Sequence, residues 1–189
     1  GTPSSIYGNI NSATFFPSAN LFLINPAGFL FGPNATVNVG GMVSFSSADY
    51  LRFTDGKLFN GAPNQAADAI LSTMPVAAYG FLGSNPGAIT VQGSQLTVTP
   101  GKSLSLVGGN ITIQSGTPDV GPAQSAKLSA QGGQINLASV ASPGEILASN
   151  MAQASNINGQ SFGNLGTIRI TEQSVIDVSG NGGGTVLIR

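Results

Sequence analysis

Five times in this chain a glycine is followed by aliphatic residues at the second and fourth positions after it, and no other feature limits the possible folds as tightly. The pattern starts at Gly87, Gly109, Gly133, Gly166 and Gly184. Its aliphatic places hold Ile89 and Val91, Ile111 and Ile113, Ile135 and Leu137, Ile168 and Ile170, and Val186 and Ile188. A period of two puts both aliphatic side chains on one face of a strand. The starts lie 22, 24, 33 and 18 residues apart, near the length one coil needs to return each strand above its predecessor. An antiparallel sandwich would also hold many short strands, but it does not require the same glycine-led strand at nearly coil-length intervals. The expected fold is therefore all-β: a single-stranded right-handed parallel β-helix, or β-solenoid, with extra-helical excursions.

In that geometry aliphatic residues stack inside at the ~4.8 Å strand spacing, while Thr, Ser, Asn and Gln face water. Each rung buries several side chains worth ~1.5–3 kcal/mol apiece before entropy is subtracted. Corners are marked by proline before glycine at Asn85-Pro86-Gly87, Thr99-Pro100-Gly101 and Ser142-Pro143-Gly144, the preference of a type II turn. Asn25-Pro26-Ala27-Gly28 instead follows type I preferences. The runs Gly108-Gly109, Gly132-Gly133 and Gly182-Gly183-Gly184 lack the helix and Lys-Ser/Thr of a phosphate loop, and are read as corners needing positive φ.

Three stretches, 57–82, 114–130 and 138–165, break the rhythm and are read as excursions, the first with an alanine-rich candidate helix over 65–74. Eight of the ten phenylalanines lie within the first 59 residues, which points to a bulkier core in the N-terminal coils. The sequence stops inside an expected strand, 185–189, so continuation of the polypeptide is expected.

With 189 residues, 41% of them apolar, the chain is long enough for one unit with a sizeable core. Only 7% of residues are charged and the net charge is −1, which leaves no basic footprint for nucleic acid or anionic lipid. No apolar run approaches the ~20 residues of a membrane-spanning helix. Cysteine, histidine and tryptophan are absent, which removes thiol chemistry, the usual general base and the commonest metal ligand. The acids Asp49, Asp55, Asp68, Asp119, Glu145, Glu172 and Asp177 stand more than four positions apart and are read as solvated or capping groups. Arg52 and Lys57 flank Asp55 in a small polar patch that a solvated strand explains. No catalytic residue, metal site or cofactor is expected.

Residues 20–41, "NLFLINPAGFLFGPNATVNVGG", resemble the N-terminal secretion domain of two-partner secretion exoproteins, the filamentous-haemagglutinin family (haemagglutination activity domain). Asn25, Pro26 and Gly28 match that family's Asn-Pro-Asn-Gly motif, with Ala27 in place of its second Asn, and Phe31, Gly32 and Pro33 match the continuation. The likeness extends through 85–113, 132–145 and 165–189. It implies a non-enzymatic module of a large adhesin-like exoprotein, with Asn25, Pro26 and Gly28 as transporter-recognition or turn motif. The partner it implies is an outer-membrane β-barrel transporter with periplasmic docking domains. Export would run through the periplasm to the surface or exterior of a Gram-negative-type bacterium, where the module nucleates β-helix folding. On this resemblance 1–189 form one β-helix secretion domain, a fragment lacking its N-terminal cap and C-terminal continuation. Host or surface glycans or proteins would be contacted by the rest of the exoprotein. The competing readings are direct glycan or receptor binding by this domain, and a β-helix hydrolase or lyase, which the scattered acids disfavour.

Overall fold

The computed structural model describes residues 1–64, 68, 72–148 and 162–189, and among these the regular elements are nineteen strands. Fifteen of them form five coils of three. The first coil contains β1 (Ser4–Ile6), β2 (Asn9–Asn11) and β3 (Leu21–Ile24), and the second β4 (Phe29–Phe31), β5 (Thr36–Val39) and β6 (Val43–Ser46). The third contains β10 (Ile89–Gln92), β11 (Gln95–Val98) and β12 (Ser103–Gly108), and the fourth β13 (Ile111–Gln114), β14 (Lys127–Ser129) and β15 (Gln134–Ser139). The fifth contains β17 (Ile168–Ile170), β18 (Val175–Asp177) and β19 (Thr185–Ile188). Between the second and third coils lie β7 (Tyr50–Phe53), β8 (Leu58–Asn60) and β9 (Val76–Phe81), and between the fourth and fifth lies β16 (Gly144–Leu147).

Corresponding strands of successive coils pair in parallel and make three five-stranded sheets, the parallel β-helix expected from the repeat. The register explains why the aliphatic pattern recurs. Phe29, Ile89, Ile111 and Ile168 are successive partners in the first sheet. Val37, Leu96, Leu128 and Ile176 are partners in the second. Phe45, Leu106, Leu137 and Ile188 are partners in the third. Apart from Ile188 in the last coil, which is 51% exposed, these columns pack into one continuous core. A one-residue slip would turn a whole column outward, so burial itself fixes the register.

The five glycine-led strands prove to belong to two sheets. Those after Gly87, Gly109 and Gly166 stack in the first sheet, and those after Gly133 and Gly184 in the third. The 22-residue step from Ile89 to Ile111 is thus a full coil, whereas the next coil in that sheet takes 57 residues, from Ile111 to Ile168. Alternating aliphatics serve both sheets equally well, so the motif did not distinguish them.

The excursions differ in extent from the expected stretches. Lys127–Ser129, inside 114–130, is a coil strand, and only the chain around the Gly116–Gln124 bridge departs. Within 138–165, β15 continues to Ser139, and β16 leaves the helix altogether. The stretch 57–82 supplies β8 and β9, which join β7 and β16 in an antiparallel sheet of order β16-β9-β7-β8. Leu51, Tyr79, Phe81 and Ile146 from this sheet cover Val107 and Ala138 on the outer face of the third parallel sheet. That second apolar layer explains why outward positions there are buried. The candidate helix over 65–74 lies mostly outside the described residues.

Thr99-Pro100-Gly101 is the expected type II turn, with Lys102 N–H donating to the Thr99 carbonyl at 3.0 Å and Gly101 at φ 78°. Within the glycine runs Gly132, Gly182 and Gly183 have positive φ, but Gly108, Gly109, Gly133 and Gly184 do not, and Gly87, also without positive φ, does not form the type II turn expected at Asn85-Pro86-Gly87. What requires glycine at 109 is proximity: a Cβ there would lie 2.1 Å from the Pro86 carbonyl oxygen of the coil below. Phe29, Phe31 and Phe45 do make the second coil's core bulky, with Phe31 and Phe45 edge-to-face at 4.7 Å. Phe15 and Phe16 are instead 81% and 65% exposed.

Ile111→Ala, deep in the first inward column, is expected to cost about 2–5 kcal/mol. The outward Thr112→Ala should stay within about 0.5 kcal/mol. Urea midpoints of the two variants, at unchanged slope, check the assignment of inner and outer faces.

Candidate functional site

The two halves of the singled-out motif bracket one short strand. Asn25-Pro26-Ala27-Gly28 turns the chain into β4, and Gly32-Pro33-Asn34-Ala35 turns it out, with only Phe29, Leu30 and Phe31 between. Inward projection of Phe29 and Phe31 fixes β4 against Phe45, so each corner is held at a defined place on the helix edge.

At the first corner Gly28 N–H donates to the Asn25 carbonyl at 2.8 Å, closing the turn. Ala27 lacks positive φ, which excludes type II and agrees with the type I expectation. The Asn25 side chain does more than start the turn. Its Oδ1 accepts from Ala27 N–H at 3.0 Å, while Nδ2 donates to the Thr2 carbonyl at 3.0 Å and to Ser4 Oγ at 2.9 Å. A carboxamide nitrogen has two protons, so both donors are committed to the first coil. On the other side, the Pro26 carbonyl accepts from Gly87 N–H at 3.0 Å, and Phe29 N–H donates to the Ala88 carbonyl at 3.0 Å. Gly28 has φ 101°, and a Cβ on it would lie 2.1 Å from the Ala88 carbonyl oxygen.

The second corner is equally occupied. The Gly32 carbonyl accepts from Ala35 N–H at 2.8 Å and from Ser94 Oγ at 2.9 Å, and Gly32 N–H donates to Ile6. Tyr7 lies over Gly32 so closely that a Cβ would meet its ring. The Pro33 carbonyl accepts from Gln124 Nε2 at 2.7 Å, and Asn34 Nδ2 donates to Asp119 Oδ2 at 2.7 Å. The excursion after β13 thus buttresses the corner after β4. Asn25, Pro26, Gly28, Phe31, Gly32 and Pro33 are brought together as one structural unit linking the first, second and third coils.

The acids occupy separate hydrogen-bonded settings. Asp55 and Asp68 fasten turns around β8, Glu172 accepts from Ser115, and Asp177 pairs with Lys127 at 3.0 Å. Arg52 does not pair with Asp55, which it flanks in sequence. It makes a two-pronged contact with Glu145, Nη2 to Oε2 at 2.6 Å and Nε to Oε1 at 3.0 Å, which Tyr50 joins through its hydroxyl at 2.9 Å. Glu145 stands across from Gly80 and Gly80 from Tyr50, so the tyrosine ring crosses the bare glycine to reach the carboxylate. This clamp was missed because its partners are 93 residues apart with no local pattern joining them. Among the described residues no three potential metal-ligating acids cluster.

These observations define the class: a β-solenoid whose motif residues shape stacked corners. The TPS secretion domain family model matches residues 1–188, and the chain belongs to that family. It is a secretion-related module of a two-partner exoprotein, exported through the Gram-negative periplasm with a transporter as partner. No curated protein and no solved structure matches it. Among the described residues no helix is long and apolar enough to cross a membrane.

The Arg52 hydrogen bonds, with help from Tyr50, hold the Glu145 carboxyl below its ordinary value of 4.5 against the opposing effect of burial. A carboxyl depressed in the folded state adds stability above its unfolded value, and that stability disappears as pH falls through the folded value. Glu145→Gln should therefore be less stable than the parent near pH 7, with the gap narrowing below about pH 4.5. Urea midpoints from pH 7 to pH 2 read this directly, and a gap independent of pH would contradict the assignment.

Proposed function

We propose that this chain is the non-enzymatic secretion and folding-nucleation module of an adhesin-like exoprotein. In this reading an outer-membrane β-barrel transporter with periplasmic docking domains recognises the segment containing Asn25, Pro26, Gly28, Phe31, Gly32 and Pro33 while it is extended. Residues 1–189 act as one secretion domain, whose early coils template the later ones at the cell surface or outside. Attachment to host or surface glycans or proteins is carried by the rest of the exoprotein.

The observation behind this reading is the full commitment of Asn25 to its own chain. Both amide protons bond Thr2 and Ser4, and Oδ1 bonds Ala27. The folded corner therefore offers a partner no free Asn25 donor. Recognition through that amide belongs to the extended chain, which can pair edge to edge with a strand of the docking domains. Folding then withdraws the same groups into the first coil. Low charge and the absence of cysteine suit passage in an extended form through an oxidising compartment.

Export from cells with and without the transporter tests the reading, using the parent, Asn25→Ala and Asn25→Asp. Asn25→Asp keeps the acceptor to Ala27 and loses both donors. At about 1 kcal/mol per hydrogen bond, Asn25→Ala should lower stability by roughly 1–3 kcal/mol. Direct recognition predicts transporter-dependent export that falls further than in a control destabilised equally at Ile111. Export that tracks stability alone in all variants would reduce the motif to a corner.

A further inference from the structure

The corner between β18 and β19 has a packed stem and a bare tip. Gly180 and Gly184 form the stem against the fourth coil: a Cβ on Gly180 would lie 2.7 Å from the Gly132 nitrogen, and one on Gly184 2.5 Å from the Gly133 carbonyl oxygen. Gly183 N–H donates to the Gly180 carbonyl at 3.0 Å, with Gly182 at φ 92° and Asn181 outside the positive region, which makes a type II turn. At the tip a Cβ on Gly182 or Gly183 would meet nothing within 4 Å, and Asn181 is exposed. Neither the Asn181 side chain nor the Gly182 N–H has a hydrogen bond among the described residues. Two comparable pairs are tied down. In Asn60-Gly61 the Asn60 Nδ2 donates to Asp68 Oδ1 at 2.8 Å, and Gly61 N–H donates to the Asp49 carbonyl at 2.7 Å. In Asp55-Gly56 the Gly56 N–H donates to the Phe53 carbonyl at 2.9 Å, and the Asp55 carboxylate accepts from Lys57 N–H and Ser72 Oγ. Asn158-Gly159 lies outside the described residues.

We propose that Asn181-Gly182 is a self-modification site, at which the folded chain converts its own asparagine to a mixture of aspartate and isoaspartate. The Gly182 backbone nitrogen gives up its proton to solvent and attacks Asn181 Cγ. A C–N bond forms, the Cγ–Nδ2 bond breaks, and Nδ2 leaves with a proton from water as ammonia. The product is a five-membered succinimide. Water then adds to one of its two carbonyls: opening between Cγ and the ring nitrogen gives aspartate, and opening between the ring nitrogen and the backbone carbonyl carbon gives isoaspartate, in which the chain runs through the former side chain. One water is consumed, one ammonia is released, and the corner gains a negative charge. Glycine at 182 leaves no side chain to crowd the ring, and the glycines around Asn181 let the turn rotate until the nitrogen reaches Cγ. At Asn60 the same step must first break the bonds to Asp68 and Asp49 and bend the chain out of β8.

Ageing of the 189-residue chain in warm, mildly alkaline buffer tests the proposal. Peptide mapping by mass spectrometry locates each converted asparagine, and an isoaspartyl methyltransferase with S-adenosylmethionine labels the isoaspartate. In the folded chain conversion at Asn181 should outpace that at Asn60 by roughly tenfold or more, the protection that a hydrogen-bonded strand gives. In the urea-unfolded chain the two should react at similar rates, since both precede glycine. Asn181→Gln should abolish labelling of that peptide, because glutamine closes a six-membered imide far more slowly. An Asn181 that stays intact in the folded chain while the unfolded chain is converted would overturn the proposal, as would conversion of Asn60 as fast as Asn181 in the folded chain. Neither result bears on export, so the secretion reading stands or falls separately.

Discussion

Everything in this solenoid depends on how closely one corner can lie upon the next. Parallel strands pair at about 4.7–4.9 Å, and the chain between strands must keep to that distance while turning. At the corner before the first sheet, backbone meets backbone. Gly87 N–H donates to the Pro26 carbonyl, Gly109 N–H donates to the Gly87 carbonyl, and Phe29 N–H donates to the Ala88 carbonyl. A Cβ at Gly28, Gly87 or Gly109 would fall within 2.2 Å of a neighbouring coil's backbone. Absence of a side chain, more than freedom of φ, is what the recurring glycine supplies there.

Polar side chains complete what the glycines permit. Asn25 ties the second coil back to the first, and Ser94 and Gln124 tie the third and fourth coils to the carbonyls of Gly32 and Pro33. Each contact spans between 21 and 91 residues of sequence, so the corner after β4 is complete only when the excursion before β14 has joined it. The antiparallel sheet shows the same dependence. Its edge at β9 is covered by β16, and the Arg52–Tyr50–Glu145 clamp closes only then.

Much of this architecture was legible because a β-helix repeats its physics every coil. Alternation at Ile89–Val91 and Ile111–Ile113 gave the inner face, and Thr99-Pro100-Gly101 gave a turn type that holds. The assignment of repeats to sheets was not legible, since a strand beginning at Gly133 has the same pattern as one beginning at Gly109 while lying on another face. The antiparallel sheet left no period to read. Tyr50–Phe53 and Val76–Phe81 are buried on two sides in part, and their pairing crosses long separations. The turn at Asn25 was legible from its type I preferences, and the family resemblance added its motif role. Its two donors reach Thr2 and Ser4, contacts set by coil stacking rather than by neighbours in sequence.

The most direct test of corner stacking is equilibrium urea unfolding of Gly28→Ala beside Ala27→Asn. Gly28→Ala adds a Cβ at φ 101°, 2.1 Å from the Ala88 carbonyl oxygen. It should lower stability by more than about 2 kcal/mol, combining backbone strain with displacement of the next coil. Ala27→Asn, at a half-buried turn position with ordinary φ, should change stability by no more than about 0.5 kcal/mol. Equal stability of Gly28→Ala and the parent would mean that the coils do not depend on backbone contact at this corner.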